Sequence, residues 1–173
     1  LSRLASSLVL AVGGALSLAG CSRSPGGATE APAVPAAAAP APTRPTGPRA
    51  GGEAFLVALE PPGAARASAQ ATARVVVTAR GTYHVNRDYP MSFRPDPAST
   101  ATFPSEKVAL GEGAARTACK DQPDEVCTVS APLAFTAPDS GEARIAGTVA
   151  FSVCNADRCL IEKVPVSAAV PAR

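Results

Sequence analysis

Apolar and polar positions in the second two-thirds of the chain change with a period of two. Residues 55–59 (FLVAL) form an apolar run that stops at Pro61-Pro62-Gly63, and residues 73–79 (ARVVVTA) are β-branched and stop near Gly81. Further runs of the same kind lie at 83–85, 91–93, 107–110, 126–135, 145–154 and 159–170, separated by Pro, Gly, Asp and Asn. Such runs with such punctuation predict strands and turns. In the seventh run Val149, Phe151 and Val153 alternate with Thr148, Ala150, Ser152 and Cys154, so the first set is expected to face a core. A long 3.6-residue period is absent, and residues 64–73 are the one stretch compatible with a helix, polar and weak. Many short strands predict an all-β domain over 53–173, built as a β-sandwich. With no Trp and few aromatics, its core must rest on Val, Leu, Ile and Ala.

The first part of the chain reads differently. Residues 4–20 (LASSLVLAVGGALSLAG) are small and apolar, follow Arg3, and are short for a bilayer span of about 20 residues. Residues 1–20 are therefore expected to be a secretory signal. Leu18-Ala19-Gly20-Cys21 resembles the lipobox of bacterial lipoproteins, which implies that Cys21 is the lipidated first residue of the mature protein. Small residues admit a peptidase, and a thiol is the group that takes a thioether-linked diacylglycerol. Of the 31 residues at 22–52, seven are Pro, nine Ala and five Gly. That composition cannot bury enough apolar surface to order itself, so 21–52 is expected to be a disordered tether. Extended at about 3.1 Å per residue it would reach roughly 100 Å. The expected localisation is the bacterial cell envelope on the periplasmic face, with the outer membrane slightly favoured by Ser22 after the lipidated cysteine.

Charge supports this division. The whole chain carries +2, whereas residues 53–173 hold 12 Lys+Arg against 13 Asp+Glu. The positive surplus sits in the leader and tether, and the domain has no basic stripe of the kind that binds nucleic acid. Its roughly 120 residues suit one domain with one core.

Setting Cys21 aside leaves Cys119, Cys127, Cys154 and Cys159, and an even count in an exported protein indicates disulfides. Three connectivities are possible; Cys119–Cys127 with Cys154–Cys159 is the simplest, because each pair brackets a turn. Asn155-Ala156-Asp157-Arg158 separates the last two cysteines. Across a hairpin with a four-residue loop they become directly opposed, with Cα atoms about 4.5–5.5 Å apart and both sulfurs on the more polar face. Such a pair is a redox centre or a local staple. Loop entropy does not separate the two bonds, since each short ring contributes about 2–3 kcal/mol. Arg158 would favour a thiolate and Asp157 would oppose it.

The segment GTVAFSVCNADRCLIEKVPV at 147–166 resembles the end of the N-terminal periplasmic domain of the thiol:disulfide interchange protein DsbD family. Tyr83-His84-Val85-Asn86 with Tyr89-Pro90 is similar to an earlier segment of that domain. The resemblance implies an immunoglobulin-like sandwich that passes reducing equivalents to periplasmic or membrane thiol–disulfide proteins, with Cys154 and Cys159 as the catalytic redox pair. Cys119 and Cys127 lie outside the matched motif and are expected to form a structural disulfide. The alternative is a non-catalytic binding or structural lipoprotein with two staples.

Other chemistry is sparse. His84 is the sole histidine and reads as a polar residue at a strand end, with no nucleophile-elbow motif beside it. The cysteines lack CxxC spacing for zinc, and Asp121, Asp124 and Glu125 near Pro123 read as a solvated turn rather than a calcium site. No metal and no cofactor is expected.

Overall fold

A computed structural model describes residues 47–173, and every regular element in it is a strand. In chain order these are β1 (Arg49–Gly51), β2 (Phe55–Glu60), β3 (Gln70–Ala79), β4 (His84–Val85), β5 (Ser92–Pro95), β6 (Val108–Ala109), β7 (Ala115–Ala118), β8 (Val126–Thr136), β9 (Glu142–Cys154) and β10 (Cys159–Pro171). The expected signal at 1–20, Cys21 and the tether up to residue 46 lie outside the described residues. Among the described residues no helix is long and apolar enough to cross a membrane.

The strands form two antiparallel sheets, β1-β2-β3-β8-β7 and β10-β9-β5-β6, with β4 also paired to β9. Period-two alternation becomes layer structure. Val57 and Leu59 of β2, Val75 and Val77 of β3, and Val129, Leu133 and Phe135 of β8 point to one side and are fully buried or nearly so. Ile145, Val149, Phe151 and Val153 of β9 answer them from the second sheet, each at 0% exposure. Phe55 meets Phe151 edge-on across the layers, with ring centroids 5.0 Å apart. Burial of each such side chain contributes about 1.5–3 kcal/mol, and the two apolar faces join in one core. The architecture is the expected all-β sandwich.

The β9–β10 hairpin is the longest element, with 13 residues in each strand, paired from Cys154↔Cys159 to Glu142↔Pro171 without a break. Gly147 lies in it beneath Phe93: a Cβ there would stand 2.4 Å from the ring's Cζ and 2.5 Å from the Arg94 carbonyl oxygen. A glycine at that point lets β5 and β9 pair closely over a fully buried ring. β10 is a sheet edge. The Ser167 N–H donates outward to the Gly47 carbonyl at 2.8 Å, and Pro165 and Pro171 have no N–H to donate.

Three local expectations change. The sheet begins before residue 53, because Arg49, Ala50 and Gly51 pair with Ala58, Val57 and Leu56. A Gly-rich segment can join an edge through backbone bonds alone. Gly51 is required there, since a Cβ would lie 2.6 Å from the Phe55 carbonyl oxygen. Residues 64–73 are not helical. Ala65 and Ala67 donate their N–H groups to the carbonyls of Pro171 and Arg173, Ser68 turns the chain at φ 54°, and β3 starts at Gln70. Tertiary hydrogen bonds here outweigh weak helix propensity. β7, an exposed ARTA segment with no alternation, pairs with β8 at the sheet edge.

Candidate functional site

The turn between β9 and β10 is made by one side chain. Asn155 Oδ1 accepts the N–H groups of Asp157 at 3.0 Å and Arg158 at 2.9 Å, while the Asn155 N–H donates to the Arg158 carbonyl at 2.9 Å. This is an Asx turn, the local geometry for which Asn is suited. Residues 155 and 158 thus form a hydrogen-bonded pair. The next pair, Cys154 and Cys159, is of the closer, non-hydrogen-bonded kind. Their Cα atoms are 4.0 Å apart, closer than the sequence expectation, and their sulfurs are bonded at 1.99 Å.

The two ends of that bond differ in access. Cys154 is 7% exposed, whereas Cys159 is exposed at the start of the edge strand β10. Both sulfurs were expected on the more polar face, and of the two only Cys159 is exposed there. β9 is not an edge at this point, because β4 pairs with its other side and His84 lies directly opposite Cys154. Directly opposed residues share a face, so His84, Cys154 and Cys159 stand in one row across three strands. Ser152, in the adjoining row, is 1% exposed and its hydroxyl has no hydrogen-bond partner. Ile161, opposite Ser152, is 64% exposed on the same face.

Cys119 and Cys127 form the second disulfide, S–S 2.02 Å with Cα atoms 4.7 Å apart. The β7–β8 pairing passes from Thr117↔Thr128 to Ala118↔Val126, so Cys127 is the extra residue of a β-bulge. The Cys119 N–H donates to the Glu125 carbonyl and the Glu125 N–H to the Gln122 carbonyl, each at 2.9 Å, closing the loop around Pro123 and Asp124. Cys119 is 8% exposed and Cys127 half-buried. Both cysteine pairs therefore take the simplest of the three possible connectivities.

The β7–β8 connection also reaches the first disulfide's surroundings. Glu125 Oε2 lies 3.5 Å from His84 Nε2, and Arg87 donates to the Asp124 carbonyl. Across the hairpin turn the Arg158 guanidinium donates to the Tyr83 hydroxyl at 3.5 Å. Its pKa is raised above the ordinary arginine value, first by that hydrogen bond and then by the charge interaction with Tyr83, with Asp157 adding to it. Arg158 is thus a fixed positive charge beside Cys159.

Cys119, Cys127, Cys154 and Cys159 all lie where the chain pattern pairs them, while Cys21 falls outside the described residues. Sequence reasoning gave His84 as a polar strand-end residue and Glu125 as part of a solvated turn, and did not bring them or Tyr83 next to the cysteine pair. Their proximity arises from pairing between residues as much as 75 apart, and no local pattern encodes it. In comparisons with known proteins, no family model, no curated relative and no solved structure matches the chain.

Proposed function

We propose that this chain is a membrane-anchored thiol–disulfide exchange module of the bacterial cell envelope, working through Cys154 and Cys159. The observation that supports the reading is the unequal exposure of one directly opposed pair. Exchange requires a thiolate to approach one sulfur in line with the bond while the other sulfur leaves. Cys159, exposed beside Arg158, is the sulfur that a partner reaches; Cys154, 7% exposed, is the one that leaves and later resolves. In the reducing direction a partner dithiol gives up two electrons. Its first sulfur bonds to Cys159, and its second displaces Cys159 to complete the partner's disulfide. The module is left with two thiols. The resemblance of residues 147–166 to the DsbD-type domain, with the immunoglobulin-like fold that it implies, points the same way, and the lipid on Cys21 would hold the module at a membrane.

The test is a redox titration of the full chain in glutathione buffers, with thiols trapped and mapped by mass spectrometry. Cys154–Cys159 is expected to equilibrate well above about −300 mV, the bound below which structural disulfides lie. A Cys154→Ser variant is expected to capture a partner through Cys159. A potential below about −300 mV, the range of structural disulfides, with no captured partner, would overturn this reading in favour of a binding or structural lipoprotein with two staples.

A further inference from the structure

We infer that His84 is the proton donor and acceptor for Cys154 in disulfide exchange, and that the Cys119–Cys127 loop holds it in place through Glu125. The inference rests on the exchange function proposed above and adds to it a residue that the cysteine motif does not contain.

His84 is directly opposite Cys154 on the side away from Cys159. Opposed residues of neighbouring strands have Cβ atoms about 4.5–5.5 Å apart, within reach of an imidazole ring to a sulfur. Cys154 is shielded from solvent at 7% exposure, and His84 is itself mostly covered, with its side chain 21% exposed. A thiolate leaving at Cys154 is therefore poorly served by bulk water, and the group set against it is the chain's sole histidine. Imidazole is the side chain that exchanges protons between about pH 5 and 8.

The surrounding charges are few. Glu125 approaches His84 from the β7–β8 connection at 3.5 Å, with Asp124 beside it in the same loop and the Arg87 guanidinium donating to the Asp124 carbonyl. Asp157 and Arg158 lie in the β9–β10 turn, where Arg158 is engaged by Tyr83, and Arg80 follows the end of β3, its carbonyl accepting the Tyr83 N–H at 3.1 Å. Glu125 contacts the ring directly. Its backbone is fixed inside the ring closed by Cys119 and Cys127, through bonds to Cys119 and Gln122. The second disulfide thus acts on the first through a two-residue bridge.

The partner's thiolate forms a bond to Cys159 Sγ and the Cys154–Cys159 bond breaks. The electron pair leaves on Cys154 Sγ, which takes its proton from the His84 imidazolium. The neutral imidazole recovers a proton from solvent. When the partner's second thiolate completes the transfer, Cys159 leaves as a thiolate and is protonated from solvent. In the reverse direction imidazole takes the Cys154 proton as that sulfur attacks.

The test uses the full chain and dithiothreitol, which reduces staples and redox centres alike, so the rate is measurable whichever function holds. Reduction of Cys154–Cys159 is followed against pH and expressed per dithiothreitol thiolate. In the native chain this rate is expected to fall as pH rises through the histidine range. In His84→Gln it is expected to be flat, about tenfold slower near pH 6 and equal above about pH 8.5, a modest share of the typical gain from a positioned acid. Glu125→Gln, which leaves the histidine in place, is expected to lower the rate by a smaller factor while keeping the bend. Circular dichroism checks that the variants fold, and a folding defect alone would expose the bond and raise its rate of reduction rather than lower it near pH 6. Coincident pH profiles for the native chain and His84→Gln would overturn the inference and leave the exchange function standing. A structural-range potential with no captured partner would overturn the exchange function, whatever the profile shows.

Discussion

Two disulfides close two hairpins of this domain, and they are set in opposite ways. Cys154–Cys159 ends a ladder paired without interruption along 13 residues of each strand, beside a turn made by one asparagine. Cys119–Cys127 spans a bulge, where Cys127 has no partner across the ladder and the loop around Pro123 is tied by backbone bonds. The first has a buried end and an exposed end; the second has a buried end and a half-buried one. The same bond, with nearly the same ring entropy, can thus serve two purposes according to its frame. A regular ladder holds two sulfurs opposed whether or not they are bonded. A bulged one relies on the bond to fix its loop.

The largest effect expected is on the frame of the Cys154 side. Gly147→Ala places a methyl group against a fully buried Phe93 and a backbone carbonyl, neither of which can give way cheaply. It should cost about 3 kcal/mol, the upper end for an overpacked core, read as a lower urea midpoint. An unchanged midpoint would mean that β9 and β5 separate without cost, and the rigid-ladder half of the comparison would fail.

Next come the bonds themselves. By loop entropy, replacing Cys119 and Cys127 together by Ala should cost about 2.5 kcal/mol, and replacing Cys154 and Cys159 about 2 kcal/mol. The difference that matters is in structure. The first double variant should lose amide protection at Glu125 and across the β7–β8 connection, whereas the second should keep the β9–β10 ladder protected. Equal loss of protection in both would erase the distinction drawn between bulged and regular frames.

The smallest effect is at the turn. Asn155→Ala removes the acceptor of two backbone N–H groups and should cost about 1 kcal/mol, seen as a modest fall in thermal midpoint. It should also speed reduction of Cys154–Cys159 and leave Cys119–Cys127 unaffected. An unaltered reduction rate would show that the ladder alone, without the turn, positions the sulfurs.

Much of this arrangement was legible in the chain. The alternation of Val149, Phe151 and Val153 assigned the core face of β9, and the spacing of Cys154 and Cys159 around Asn155-Ala156-Asp157-Arg158 placed them across a hairpin. Both signals are local, and burial enforces them. What escaped notice lies where burial enforces nothing. β1 and β7 are short edge strands of mostly exposed, small or charged residues, held by backbone bonds that any sequence can make. His84 escaped for another reason: its meaning depends on which residue stands opposite it, and β4 pairs with a strand far along the chain.

One consequence of the β10 edge concerns self-association. In its alternating hydrogen-bond pattern the N–H groups of Cys159, Ile161 and Lys163 point away from β9, as does that of Ser167, which Gly47 already engages. Pro165 stands in the same series and offers none. The open stretch of backbone therefore runs only from the turn to the proline, with the charge of Lys163 in its path. A second copy laid alongside would find three donors and then no continuation. Edge-to-edge growth into fibrils needs a long, flat, uninterrupted template, and this edge ends before one can form. The exposed Ile161 is tolerable for that reason: the backbone next to it supports a brief encounter but not an indefinite stack.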